Sequence, residues 1–199
     1  MLKFIFLEER QLIQALKDSK ESAFRELVKK YELNVYNTCI GMLGDEDNAK
    51  DISQDVFIEV FRSIHKFRGD SKLSTWLYRL AVNKSLNHIR DNKKHRIARS
   101  IQRFFIKDES EEIEIKDNSS MNAEEEIEQN EHSKALREAL NKLSENQKTA
   151  FVLKNYDDLS YKQISEVMEL SHSSVESLIH RARTNLQKHL ESYYYEHFN

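Results

Sequence analysis

Trp76, Arg79, Asn83, Asn87 and Arg90 recur at spacings of three and four residues, which places them on one side of a helix. The set combines one large aromatic, two guanidiniums and two carboxamides, and no carboxylate follows until Asp91. A solvated helix face ordinarily mixes Glu with Lys and does not hold a tryptophan. Aromatic stacking, amide hydrogen bonds and cationic contacts to phosphate are the means by which proteins hold exposed bases and their backbone. Lys84 lies within the same stretch, and Lys93, Lys94, Arg96 and Arg99 follow it. From Trp76 to Arg103 there are eight Lys and Arg against Asp91 alone, a net of +7 in a chain of net charge −3. The local balance points to nucleic acid where the whole-chain charge does not.

The helix carrying these residues is expected to begin near Ser74, whose hydroxyl suits an N-cap. Its other half, Leu77, Tyr78, Ala81, Val82, Leu86 and Ile89, is apolar and reads as core-facing. A turn, Arg68-Gly69-Asp70-Ser71, stands just before the polar face. Upstream, apolar stripes at Leu12–Leu16, Phe24–Tyr31 and Val35–Leu43 read as further helices. Gly44 is a plausible helix end, and Asp45, Glu46 and Asp47 suit the next helix start. That next helix, over 48–66, buries Ile52, Val56, Phe57, Val60, Phe61 and Ile64. It turns Asp51, Gln54, Asp55, Ile58, Glu59 and Arg62 outward. An isoleucine among acids hints at a partner surface.

The stretch FRGDSKLSTWLYRLAVNKSLNHIR resembles the promoter-melting segment of bacterial RNA polymerase sigma factors of the extracytoplasmic-function (ECF) type. DNAKDISQDVFIEVFRSI is similar to that family's polymerase-binding helix, which docks on the clamp coiled coil of the largest catalytic subunit. The resemblance implies that Asp51, Gln54, Asp55, Ile58 and Glu59 contact core RNA polymerase. It implies that Arg68, Asp70, Ser71, Trp76, Arg79, Asn83, Lys84, Asn87, Arg90, Lys93 and Lys94 contact the start-proximal promoter box as it melts. Acids around one apolar residue would complement a basic, partly apolar coiled coil.

A second, independent motif lies downstream. Ser144-Glu145-Asn146-Gln147 and Ser160-Tyr161-Lys162-Gln163 read as capping boxes. YKQISEVMELSHSSVESLIHRARTNL has Ile164, Met168, Leu170, Val175 and Leu178 at the core spacing of a helix-turn-helix. Ser171 can cap the recognition helix, and Ala182, Leu186 and Leu190 extend its buried stripe. His172, Ser173, Ser174, Glu176, Ser177, His180 and Arg181 then face a major groove. By the same resemblance Tyr161, Lys162 and Arg183 join them at the upstream promoter box. Four positions depart from the family pattern. Ser144 stands where Pro is common and caps just as well, Ser165 where Ala is usual, Leu178 where Arg is common, and Glu169 where Gly is usual in the turn. Glu169 is strained if its φ is positive.

Between the motifs, Asp108–Glu131 holds eleven Asp and Glu against Lys116, a net of −10, which resists packing. The expected fold is all-α with two helical domains, at 8–99 and 132–192, joined by a flexible acidic linker at 100–131. Phe104, Phe105 and Ile106 read as an extension of the preceding helix. By the resemblance the linker threads the polymerase toward the RNA exit channel; a passive tether suits the composition equally.

With 3 Gly and no Pro, β folds rich in turns are disfavoured. The single cysteine, Cys39, allows no intramolecular disulfide and reads as a core thiol. The histidines have no metal-ligand spacing, and no nucleophile–base pair or phosphate-cradling Gly loop is found. Neither a cofactor, a metal nor an enzymatic activity is therefore expected. The opening LKFIFL is too short for a signal peptide or a membrane span, so a cytoplasmic chain without membrane insertion is expected. The expected partners are core RNA polymerase and promoter DNA, double-stranded and melted. The resemblance adds an anti-sigma factor. A stand-alone helix-turn-helix regulator would explain 160–183 but leave Trp76 and the Arg68–Ser71 turn without a purpose. A protein-binding regulator acting through its acidic linker is a third class.

Overall fold

The computed structural model describes residues 2–105 and 134–198, and all its regular structure there is helical. Helix α1 is Leu2–Lys17, α2 Glu21–Leu43 and α3 Glu46–Ser63, with a 3-10 turn at Ile64–Lys66. Helix α4 runs Leu73–Phe105. Helix α5 follows at 134–141, then α6 Glu145–Asn155, α7 Tyr161–Met168 and α8 His172–Phe198. Helix α4 thus takes in 100–105, including Phe104 and Phe105. The rest of the expected linker lies outside the described residues.

Local chemistry sets most helix ends. Gly44 closes α2 at φ +68°, and its N–H reaches the Ile40 carbonyl at 2.7 Å. The Asp45 carboxylate accepts the Asn48 N–H at 2.9 Å to open α3. Both expected capping boxes form, on Ser144 with Gln147 and on Ser160 with Gln163. The start of α4 differs from expectation. Ser74 lies inside the helix, and the Leu73 N–H donates to Glu9 Oε1 of α1 at 2.7 Å. An acceptor from a distant helix has replaced the local one, and it ties α1 to the start of α4.

The first domain, α1 to α4, closes around Leu16, Leu27, Cys39, Val56, Val60, Leu73 and Leu77. Phe61, expected inside, is 59% exposed and lies against Phe24 with ring centroids 4.9 Å apart. In the second domain Ile164 and Val175 are buried as expected, joined by Val167 and Ile179. Met168, Leu170 and Leu178 are only partly covered. Ala139, Leu140 and Leu143 of the α5 region pack on Ala182 and Leu186 of α8.

The apolar half of α4 is divided between the two domains. Leu77 and Ala81 enter the first core. Tyr78, Val82 and Leu86 enter the second, beside Leu153, Ile164 and Val167. Helix α2 also meets α6 closely: a Cβ on Gly41 would lie 2.7 Å from Val152 Cγ1 and 3.1 Å from the Tyr156 ring. Glycine is required there by the approach of the second domain.

A carboxyl is buried in this contact. The Thr38 hydroxyl lies 3.0 Å from Asn34 O and 2.8 Å from Asp157 Oδ2. That hydroxyl donates to Asp157 Oδ2, while Asp157 Oδ1 is buried without a hydrogen-bond partner among the described residues. Burial pushes the Asp157 carboxyl up to about 7, with the Thr38 hydrogen bond acting in the opposite direction. Burial, with a smaller contribution from Asp157, raises the nearby Tyr78 phenol and Cys39 thiol each to about 12. The folded state holds the Asp157 proton more tightly than the unfolded chain, so stability falls as pH rises from about 4 to about 7. Asp157→Asn should remove that slope and raise stability at pH 8 by about 1–3 kcal/mol. Thermal unfolding of both proteins from pH 4 to 8 checks this; parallel curves would count against a buried neutral Asp157.

Candidate nucleic-acid interface

Helix α4 presents three faces. One carries Trp76 and Leu80 against the first core, and Trp76 lies 5.0 Å from Phe67 between ring centroids, tilted 33°. A second carries Tyr78, Val82 and Leu86 to the other domain. The third is open and holds Asn83, Asn87, Arg90 and Lys94. Trp76, expected on the polar face, is half-buried at its edge. Phe67 reaches it because the 3-10 turn folds the chain back onto the first turn of α4.

The cations of this surface are partly occupied. Arg79 donates to the Glu166 carbonyl at 2.6 Å and pairs with Glu169 Oε1 at 3.1 Å. Arg90 forms a two-pronged pair with Glu145, at 3.1 and 2.5 Å. That pairing lowers the Glu145 carboxyl from its usual range. Lys84 faces Glu59 of α3 at 3.7 Å, which brings together a residue expected at DNA and one expected at polymerase. Lys94 pairs with Asp91, and Lys93 is exposed. In the preceding turn Arg68 and Asp70 pair with each other at 2.8 Å and remain exposed, with Ser71 half-buried beside them.

On α3, Asp51, Gln54 and Asp55 are exposed, and Ile58 is 45% exposed among them. Ile58 also lines a shallow apolar groove with Phe24, Leu27, Val28, Phe57 and Phe61. The groove was not legible from α3 alone, because half of it comes from α2.

In the second domain, α7 and α8 form the expected helix-turn-helix. The Ser171 hydroxyl caps α8 by accepting the Ser174 N–H at 3.2 Å. His172, Ser173, Ser174, Glu176, His180, Arg181 and Arg183 are exposed, and Ser177 is half-buried. Arg181 donates to Ser177 Oγ at 2.8 Å, and the His172 ring meets Tyr161 edge-on at 5.7 Å. Lys162 is exposed at the start of α7. Glu169 ends α7 at φ +56°, ψ 39°. This is the left-handed geometry that disfavours a side chain by about 1–2 kcal/mol. Hydroxyls, imidazoles and guanidiniums without a flanking apolar patch suit base edges and phosphates in a groove. Among the described residues no cluster of His, Cys, Asp and Glu could hold a metal ion, and no helix is long and apolar enough to cross a membrane.

Residues 27–95 match the family model for Sigma-70 region 2, and 133–186 that for Sigma-70 region 4. The chain is 31% identical to the RNA polymerase sigma-H factor of Pseudomonas aeruginosa, across 92% of this chain and 94% of that one. It is 30% identical to the ECF RNA polymerase sigma factor SigW of Bacillus subtilis, across 91% and 96%. Its fold resembles CnrH, solved in complex with the cytosolic domain of CnrY, with TM-score 0.63, 22% identity and coverage of 92% and 97%. RpoE of Bartonella quintana, solved with the anti-sigma factor NepR, gives TM-score 0.57 at 22% identity, across 84% and 96%. Two helical domains that match Sigma-70 regions 2 and 4, the second built on a helix-turn-helix, define a sigma-70 transcription initiation factor. The chain belongs to the ECF type of that family, whose members serve promoter recognition and transcription initiation by RNA polymerase.

The packing on Phe67 gives Trp76 a structural share. Trp76→Ala should lower the stability of the first domain by about 1–3 kcal/mol, less than the 3–5 kcal/mol typical of a fully buried aromatic. Urea titration followed by circular dichroism measures this; an unchanged midpoint would mean that the ring contributes nothing to the core.

Proposed function

We propose that α4 opens the start-proximal promoter box, that α3 holds core RNA polymerase, and that α8 reads the upstream box. The observation that carries this reading is the open stripe of Asn83, Asn87 and Arg90, with Arg68, Gly69 and Asp70 also exposed in the turn before α4. Trp76, Arg79, Lys84, Lys93 and Lys94 border it. Binding energy from captured bases offsets the few kcal/mol lost in unstacking each step. The chain works by binding and is not itself an enzyme. Domain limits at 8–99 and 132–192 suit these roles, with α4 projecting past the first. The site of action is the cytoplasm, where promoter and polymerase are. Since CnrH and the Bartonella RpoE are each described in complex with a protein partner, a partner of the anti-sigma kind is proposed here as well. A stand-alone helix-turn-helix regulator would not need the α4 stripe.

Addition of this chain to core RNA polymerase should start RNA synthesis at defined promoters; silence with every template would leave only the regulator reading. Asp51→Arg with Asp55→Arg should abolish co-purification with core polymerase while the fold survives, since both side chains are exposed and such substitutions stay within about 0.5 kcal/mol. Retained binding by the folded double variant would exclude α3. On duplex promoters, Asn83→Ala should cost about 1–3 kcal/mol of open-complex stability, taking the loss of one base contact as comparable to loss of a stacking partner. A template already melted as a mismatched bubble should recover most of the lost transcription, whereas Arg90→Ala, acting on phosphate, should not be rescued. Equal defects on both templates for Asn83→Ala would place that residue outside the melting step.

A further inference from the structure

The outward face of α8 spends most of its small polar groups on itself. The Ser171 hydroxyl lies 3.1 Å from Ser173 Oγ and 2.8 Å from Ser174 Oγ, and it also accepts the Ser174 N–H. The Ser177 hydroxyl accepts from Arg181 at 2.8 Å. Glu176 is the one carboxylate between His172 and Arg183. It is exposed, and its polar neighbour among the described residues is His172, whose Nδ1 lies 3.7 Å from Oε1. That separation is beyond hydrogen-bond reach, so the carboxylate keeps its lone pairs for a ligand. Tyr161 of α7 meets the other partner, the His172 ring, edge-on at 5.7 Å. Glu176 thus stands beside a braced imidazole at the start of the outward face.

A carboxylate is an unexpected group on a surface that meets phosphates. It repels the DNA backbone and lowers affinity for every sequence unless a base donates to it. The base edges of the major groove restrict what can donate. Guanine shows two acceptors, and thymine an acceptor and a methyl group. Adenine shows its N6 amine beside the N7 lone pair, which opposes the second carboxylate oxygen. Cytosine shows its N4 amine with no acceptor of its own beside it. A carboxylate on this face therefore favours cytosine over the other three bases. Arg181 has the opposite character: with one N–H on Ser177, its remaining donors suit guanine or phosphate.

We propose, resting on the assignment of α8 to the upstream box, that Glu176 determines the specificity of that contact, its carboxylate accepting a hydrogen bond from the N4 amine of a cytosine in the major groove. The charge that weakens binding to every other sequence is then what makes the contact selective.

The chain assembled with core RNA polymerase is offered duplexes randomised upstream of a fixed, already melted bubble, and the bound duplexes are sequenced. The bubble makes binding independent of the opening step. The unaltered chain should enrich cytosine at one upstream position by about tenfold over other bases. Glu176→Ala should flatten that position alone. Glu176→Gln should move it to adenine, because a carboxamide accepts from N6 and donates to N7. On the selected duplex, that cytosine is then replaced by pyrimidin-2-one, which lacks the amine. The replacement should weaken binding of the unaltered chain about tenfold more than binding of Glu176→Ala. Equal losses for both proteins overturn the proposal. So does a gain in affinity by Glu176→Ala that is the same for all sequences and leaves the cytosine preference intact, because Glu176 is then only a repulsive charge. Enrichment of the same bases by both variants rejects Glu176 and leaves α8 as the reader. The absence of any upstream enrichment by the unaltered chain instead rejects the assignment of α8, and the proposal falls with it.

Discussion

The structure depends on one helix being wanted by two cores. Leu77 and Ala81 seal the first domain, and one residue further round Tyr78, Val82 and Leu86 seal the contact with the second. Few helices need so wide an apolar arc, because a surface helix buries one stripe. Each apolar residue of this kind is worth about 1.5–3 kcal/mol when fully buried. Burial of a shared face therefore draws the domains together beside the ion pairs. The pairs of Arg79 and Arg90 decide what else α4 can bind while the domains touch. Exposed pairs add little stability, but they occupy guanidiniums of the proposed melting surface.

Much of the architecture was legible because its signals are local. Gly44, Asp45, Ser144, Ser160 and Ser171 act within four residues of themselves and do what their types predict. The helix-turn-helix was readable from apolar spacing, and Glu169 was recognisable as the strained position of its turn. What failed was long-range. Ser74 lost the helix start to Glu9, a residue of another helix. Phe61 has the period of a core residue, yet it lies exposed in the groove between α2 and α3, against Phe24. Val167 and Ile179 are more deeply buried than Met168 and Leu178, because the crossing of α7 over α8 selects between adjacent stripes.

The candidate site was legible in composition and less so in arrangement. Spacing placed Trp76 with Arg79 and Asn83, but about 60° of helix separates Trp76 from Arg79, and different domains lie on either side. Trp76 accordingly leans on Phe67 while Arg79 meets Glu166 and Glu169. No periodicity within α4 could reveal that Glu145 and Glu169 come opposite its arginines. Charge segregation pointed the basic segment to nucleic acid and said nothing of the two carboxylates of the second domain that meet it.

The account makes the two uses of α4 mutually exclusive, and a reversible lock between the domains tests that directly. Because the Thr38 hydroxyl lies 2.8 Å from Asp157 Oδ2 across the domain contact, Thr38→Cys with Asp157→Cys places two thiols within reach of each other there. Transcription from a duplex promoter with core RNA polymerase should be absent while that disulfide is closed and should return on reduction. Equal transcription by the oxidised and reduced forms would contradict the account, because α4 would then open DNA with the second domain still seated on it.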